Sequence, residues 1–415
     1  MDYYTLLDSH GIPKKQVRRF SFISENNETL IFAEIIPSQR ICPFCSSNET
    51  VVKEYKTKTI KALTTGKDKT FIEYKLPRYK CKLCNKTYTH NFSDQIEKSL
   101  SKQVISKIID DFSEMLTFSQ IADKYNITTT QAIELFDRYC PDMRNPIEEA
   151  ICIDEFSNTR KSHDKYSCIL VGFTSHKIID IIKNRTLPYL RQYFDKQPLS
   201  LRDKVRYIIT DMYDGYITIA NEFFKNATIA IDPFHYMEYL TEAVQNIRRD
   251  LIDSNKYLLD RTWMNKHWRM LTMSLDDLPK ENMVLPTGES ISYSDRIHRF
   301  IKQDRELDYA YWLLQNFYVA SKRLTYERAI SYIDMTIKNM LNSTSRHLQA
   351  CGKTWLNYQE YITNSFIKFN GVRLSNGPVE GINARVKTLK KIYCGFRNII
   401  RFYKRIILII NKRAK

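Results

Sequence analysis

The 415 residues carry 64 Lys and Arg against 47 Asp and Glu, a formal net charge of +17, with 43% hydrophobic and 27% charged residues. That hydrophobic share excludes a globally disordered chain, and the length predicts two or three folded units. The charge is uneven: residues 1–100 hold 17 basic and 11 acidic residues, residues 371–415 hold 12 basic residues and the lone acid Glu380, and the stretch between is neutral. Two basic ends around a neutral body point to two places where a polyanion docks; the plainer reading is a charge that serves solubility.

Taken in chain order, residues 30–95 alternate β-type residues with two cysteine pairs and predict short strands and knuckles. Residues 98–140 have helical periodicity broken by a short turn. From about 148 to 236, apolar runs of strand length predict a sheet: Ala150–Ile153, Ser167–Phe173, Ile178–Ile182, Val205–Thr210 and Thr228–Ile231, with a helix-like stretch at Tyr216–Phe224. Residues 237–370 read as helical, and a last helical stretch follows Pro378. Pro141 and Pro146 mark a linker. The predicted units are 1–95, 96–145, 146–236, 237–370 and 371–415. The opening residues lack the pattern of a signal peptide and no apolar run reaches the length of a membrane span, which predicts a soluble, cytoplasmic protein.

Of nine cysteines, Cys42, Cys45, Cys81 and Cys84 form two C-x-x-C turns. Each turn offers two thiolates to one metal, and two turns complete a closed four-sulfur site suited to structural Zn²⁺. The other five are scattered and odd in number, which argues against a disulfide framework. Lys53, Lys56, Lys58, Lys61, Lys67 and Lys69, between the turns, suit phosphates.

Residues 117–136 read as two helices around the turn Asn126-Ile127-Thr128, with Ala122 permitting close approach. A helix-turn-helix of this kind presents Thr129, Thr130 and Gln131 to a major groove; a purely structural helical hairpin fits the same pattern. In the C-terminal stretch, Arg385, Lys387, Lys390, Lys391 and Arg397 are candidate phosphate contacts.

Asp154 and Asp211 each end an apolar strand, and Glu380 lies just inside a helix that opens at Pro378. Singly, each acid fits a turn or a cap. Together, two strand ends and a helix can hold a pair of divalent ions for phosphoryl transfer, with Mg²⁺ or Mn²⁺ suited to hard oxygen ligands. Asp232, in Asp232-Pro233-Phe234-His235, fits a helix N-cap as well as a catalytic acid, and His235 fits a phosphate contact as well as a half-buried packing residue.

The chain resembles the ISL-three-type transposases of bacterial insertion sequences. The resemblance rests on Ser375-Asn-Gly-Pro-Val-Glu-Gly-Ile-Asn-Ala-Arg-Val-Lys387 with Lys390-Lys391 and Gly395-Phe-Arg-Asn398, then Thr210-Asp211-Met212 with Gly215-Tyr216, and Asp232-Pro-Phe-His235. It implies an α/β chain: an RNase H-like mixed sheet with a large all-helical insertion, preceded by a zinc ribbon and a helix-turn-helix. It also implies Asp154, Asp211 and Glu380 as catalytic triad, the element's terminal inverted repeats and target DNA as partners, and a nucleoid-associated location; synapsis of two ends, from the geometry of that reaction, predicts a homo-oligomer on DNA, at least a dimer. A plain nuclease or resolvase shares this chemistry, and a DNA-binding regulator would use the sheet as scaffold only.

Overall fold

The computed structural model describes residues 7, 12, 14–37, 41–62, 69–89, 96–97, 99–158, 165–285, 287–393 and 398–413. The chain divides into two compact units, one of residues 1–143 with 388–413, the other of residues 144–387.

The first unit opens with β1 (Val17–Glu25) and β2 (Glu28–Ile35), followed by β3 (Thr50–Lys61), β4 (Lys69–Cys81), β5 (Thr87–Thr89), β6 (Ile96–Glu97) and β7 (Leu100–Ser101). They form one sheet in the order β1-β2-β4-β3-β7-β6, with β5 added to the end of β4. The strands begin earlier and run longer than the cysteine pattern alone predicts. Asn26 and Asn27, at φ 52° and 62°, make the two-residue turn of the β1–β2 hairpin, since asparagine tolerates the left-handed region. One face of β2 and β4 is buried with Ile31, Ala33, Ile72, Tyr74 and Leu76, and the other is partly exposed, which is the alternation of a half-covered sheet.

Three helices follow, Lys102–Asp111, Phe118–Lys124 and Thr129–Tyr139. The second and third each start in a reciprocal capping box: Thr117 Oγ1 accepts Gln120 N–H at 3.1 Å while Gln120 Oε1 accepts Thr117 N–H at 2.8 Å, and Thr128 and Gln131 repeat this at 3.1 and 3.0 Å. The helix Ile399–Arg413 packs into the same core, with Leu408 against the cluster of Ile108, Phe112, Ile121 and Phe136. At its centre Arg405, 1% exposed, lies against the rings of Phe112, Phe118, Phe136 and Tyr393 and donates to the carbonyls of Glu114 and Leu116. Arg401 pairs bidentately with Asp137 at 2.8 and 2.6 Å, and Lys412 reaches Ser113 at 2.6 Å. The end of the C-terminal stretch thus contributes a fourth helix to the helical core of the first unit.

The second unit is built on β8 (Ala150–Ser157), β9 (Tyr166–Gly172), β10 (Ile178–Ile182), β11 (Tyr207–Thr210) and β12 (Thr228–Ile231), in the order β10-β9-β8-β11-β12. The first three are antiparallel, and β11 and β12 continue parallel to β8. Strands β8, β10, β11 and β12 therefore all finish at one end of the sheet, where β9 begins. Their near-continuous burial follows from helices covering them, among them Leu187–Asp195 and Asp214–Phe223.

Residues 237–370 are mainly helical, but not wholly so, which corrects the expectation of an all-helical insertion. One small hairpin, β13 (Asn282–Val284) with β14 (Ser290–Ser292), interrupts them, and a second, β15 (Lys368–Phe369) with β16 (Val372–Arg373), follows at their end. The latter turns on Asn370 and Gly371 at φ 51° and 81°, an Asn-Gly pair that selects a tight hairpin. The helices Pro233–Ser254, Arg305–Arg323, Tyr326–Leu341 and Arg346–Asn357 share one apolar core with the sheet. Trp355 Nε1 donates to the carbonyl of Tyr236 at 3.0 Å, and Asn364 Nδ2 caps the Ile229 carbonyl on edge strand β12 at 2.9 Å.

Candidate metal centres

In the first unit the two C-x-x-C turns meet. Cys42 and Cys45 lie just before β3, Cys81 ends β4, and Cys84 follows it. The residue after each turn, Ser46 and Asn85, takes the same left-handed conformation, at φ 56° in both. Lys82 N–H donates to the Glu49 carbonyl at 2.8 Å and pins one turn to the other. All four sulfurs lie within 4.8 Å of one another, with Cys42–Cys84 at 3.7 Å and Cys45–Cys81 at 3.6 Å. A tetrahedron with Zn–S bonds of about 2.3 Å has sulfur–sulfur edges of about 3.8 Å, so the donor set fits that ion. The Cys84 backbone N–H, then the Cys45 side chain and the Leu83 N–H, hold the Cys81 thiol down to about 7, while burial and the neighbouring thiols push Cys45 up, as crowded sulfurs must.

In the second unit, strand register builds a row of aspartates. The last paired residues are Ile153 and Thr210 between β8 and β11, and Thr210 and Ile231 between β11 and β12. One residue further along each chain stand Asp154, Asp211 and Asp232. Neighbouring strands lie about 4.8 Å apart, which brings successive members of the row together. Carboxylate oxygens of Asp154, Asp211 and also Glu155 gather within 4.8 Å. Burial pushes the Asp154 carboxyl up to about 7, aided by the charges of Asp211 and Glu155 and opposed by the Glu155 N–H and by His235. Burial likewise pushes Asp211 up to about 6, aided by Glu155 and opposed by His235. Half-buried carboxylates crowded in this way carry negative charge that a divalent cation relieves, and their hard oxygens suit Mg²⁺.

Asp232 behaves differently from its row-mates. It is 4% exposed. Its Oδ2 accepts Phe234 N–H at 3.0 Å, capping the helix Pro233–Ser254, and its Oδ1 accepts Asn376 N–H at 2.6 Å. Asn376 immediately precedes the helix Gly377–Ile392. Both oxygens of Asp232 therefore serve the backbone. His235, half-buried on the first turn of its helix, is close enough to Asp154 and Asp211 for its charge to lower both.

Glu380 is exposed in the first turn of Gly377–Ile392 and lies outside the group of gathered oxygens, where Glu155 stands instead. One helical turn further on, Asn383 Nδ2 donates to Asp154 Oδ2 at 3.1 Å and to the Glu155 carbonyl at 3.2 Å. Residues three apart share a helix face, so Glu380 is carried on the face that Asn383 turns toward Asp154. Asn383 Oδ1, on the same amide group, is buried without a partner. That orphan acceptor beside Asp154 also suits a site completed by a cation and its waters.

Among the candidate DNA contacts, Thr129 and Thr130 are exposed at the start of their helix, while Gln131 is half-buried and its Oε1 is occupied by the capping box. Arg385, Lys387 and Lys391 are exposed and Lys390 is half-buried. Arg397 and Lys67 lie outside the described residues. Lys53, Lys56, Lys58 and Lys69 are exposed on the first sheet, whereas Lys61 donates to the Asn126 carbonyl.

Residues 151–406 match the family profile described as Transposase, of the DDE ISL3 type, and residues 38–84 match the zinc-finger of transposase IS204/IS1001/IS1096/IS1165. The chain belongs to the ISL3 family of transposases. No curated protein gives a match. Among the described residues of this transposase no helix is long and apolar enough to cross a membrane. Its four cysteines belong to a recognised zinc ribbon, and its acidic cluster falls inside the transposase match. Sequence reasoning on the transposase missed two residues at that cluster, Glu155 and Asn383. Glu155 was adjacent to a named acid, and Asn383 stood three positions after Glu380; both signals were present but needed a partner across the fold to become meaningful.

Proposed function

We propose that this transposase binds the terminal inverted repeats of its element and cuts and rejoins DNA with Mg²⁺ or Mn²⁺ held by Asp154, Asp211 and Glu380. The observation that carries the reading is the register of β8 and β11, which sets Asp154 and Asp211 side by side one residue past the last paired position. The strand order β10-β9-β8-β11-β12, three antiparallel strands continued by two parallel ones, supports an RNase H-like sheet. Bound there, the metal pair would activate the attacking oxygen and stabilise the leaving oxygen of an in-line displacement at phosphorus. Asp154 and Asp211 supply the fixed ligands. Asn383 orients Asp154, and Asp232 fixes the start of the helix that brings Glu380. Glu155, already bonded to Arg185 and Tyr216, anchors those two groups and is not the third ligand.

The helices Phe118–Lys124 and Thr129–Tyr139, joined by a short turn, support a helix-turn-helix that offers Thr129 and Thr130 to a major groove. Exposed Lys53, Lys56 and Lys58, with Arg385, Lys387 and Lys391, supply phosphate contacts. Joining two element ends calls for at least two copies on DNA.

The test uses duplexes carrying the DNA that flanks the gene, with cleavage followed in Mg²⁺. Asp154→Asn and Glu380→Gln should each lower cleavage by roughly 10³-fold or more, while Glu155→Gln stays within about tenfold. Retained cleavage in Glu380→Gln would remove it from the triad. Pre-cut ends with free 3′-hydroxyls should join to a target plasmid; cutting without joining would favour a nuclease, and full cellular function in Asp154→Asn would favour a regulator.

A further inference from the structure

Beside the acid cluster stands a cation that the proposed triad does not use. Arg185 lies in the loop after β10, at the sheet end where β8 and β11 finish. Its Nη1 donates to Glu155 Oε1, and Glu155 Oε2 accepts the Tyr216 hydroxyl at 3.0 Å. The guanidinium centre also lies 4.6 Å from the ring centroid of Tyr166 and 4.9 Å from that of Tyr213. Tyr166 opens β9, and Tyr213 sits two residues after Asp211. Two aromatic rings and one carboxylate thus fix a planar cation whose anchor, Glu155, has its carboxylate among the gathered oxygens of Asp154 and Asp211.

Neutralising Glu155 does not require this arrangement, since a lysine would supply the charge without aromatic faces. The side chain is 30% exposed. Among the described residues Nη1 alone makes a hydrogen bond, and Nε and Nη2 are not among the buried, unpartnered atoms, which leaves them as donors for a ligand. A phosphodiester entering a group of carboxylates meets like charge. A rigid guanidinium with spare donors at the rim offsets that repulsion and can take two oxygens at once.

We propose that Arg185 is the phosphate clamp of this centre, its open N–H groups binding non-bridging oxygens of the strand being cut, at the scissile phosphate or the next one. This rests on the transposase reading above and adds to it a residue that touches the substrate. Tyr166 and Tyr213 act through Arg185 and are positioning residues.

The experiment uses the full chain with its zinc, Mg²⁺ and end duplexes in which single phosphates are replaced in turn by uncharged methylphosphonates. Arg185→Ala should slow single-turnover cleavage of unmodified DNA by roughly 10²-fold, the scale for losing one preorganised donor to a reacting phosphate or oxyanion. One methylphosphonate position at or beside the scissile bond should slow the wild type and have little further effect on Arg185→Ala. Arg185→Lys, which keeps the charge and the ion pair, should remain impaired and show the same coupling; it decides the matter if the alanine variant loses its fold. Wild-type rates in both variants, or a methylphosphonate penalty that adds in full at every position, would overturn the clamp and leave Arg185 as the counter-ion of Glu155. A wild-type chain that cuts no DNA would overturn the transposase mechanism, and this proposal with it.

Discussion

Asp232 Oδ1 accepts the backbone N–H of Asn376 at 2.6 Å, a bond that spans 144 residues of sequence. Because the other oxygen caps the helix Pro233–Ser254, one buried carboxylate ties the start of the insertion to the start of the helix that carries Glu380. Asp232→Ala leaves the two N–H groups without their acceptor, at a cost of about 2–4 kcal/mol. Its melting temperature should fall, zinc content should stay at the wild-type level, and DNA cleavage should drop together with hydrogen-exchange protection around residues 376–383. Normal protection there would show that Asp232 does not seat this helix.

The raised carboxyls of Asp154 and Asp211 make stability depend on pH. Asp154 and Asp211 are held up to about 7 and about 6, above their unfolded values. Groups raised in this way favour the folded state most at acidic pH, below the unfolded carboxylate range, and that contribution is lost as pH rises through 6 to 7. Without Mg²⁺ and with zinc retained, Asp154→Asn should be more stable than wild type at pH 8 by about 1–2 kcal/mol, with the difference closing toward pH 4. Adding Mn²⁺ should raise the melting temperature of the wild type and not of Asp154→Asn. Equal melting temperatures at pH 8 would show that the carboxylates are not in conflict.

Zinc removal tests the sulfur centre separately. Cys45→Ser should lose its bound zinc, read by elemental analysis, and lower the melting transition of the first unit, because the metal joins two turns that share only a small cluster with Tyr79 and Tyr88. Unchanged zinc content would remove Cys45 from the ligand set.

Arg405 offers a test of the C-terminal helix. Enclosed by Phe112, Phe118, Phe136 and Tyr393, it is the donor on which the Glu114 and Leu116 carbonyls rely. Arg405→Ala should cost about 3–5 kcal/mol, since it opens a cavity and removes a buried donor from both carbonyls. Hydrogen exchange should then rise across residues 102–139, nearly three hundred positions away in sequence. A loss confined to residues 399–413 would mean that this helix is an accessory and not part of the core.

Much of the fold was legible in the sequence, because the signals were local. The five strands of the second sheet could be read from short apolar runs, and the structure shifts their ends by only a few residues. The thiol pairs announced a metal because two cysteines three positions apart can share one ion, and residues 117–136 read as two helices around a turn. What the tertiary structure alone decided are matters of long-range partnership. A carboxylate's chemistry does not reveal whether it will face a cation, a backbone amide or a guanidinium. Asp211 and Asp232 look alike as strand-end aspartates, yet one stays in the acid cluster and the other is consumed by Phe234 and Asn376. Likewise, the basic C-terminal stretch read as a place where a polyanion docks, yet Arg401 pairs with Asp137 264 residues away and Arg405 is the centre of an aromatic core. Backbone preference and side-chain periodicity are set by a residue's immediate neighbours, whereas the surroundings that fix a side chain's protonation, partner and role exist only after distant segments have packed.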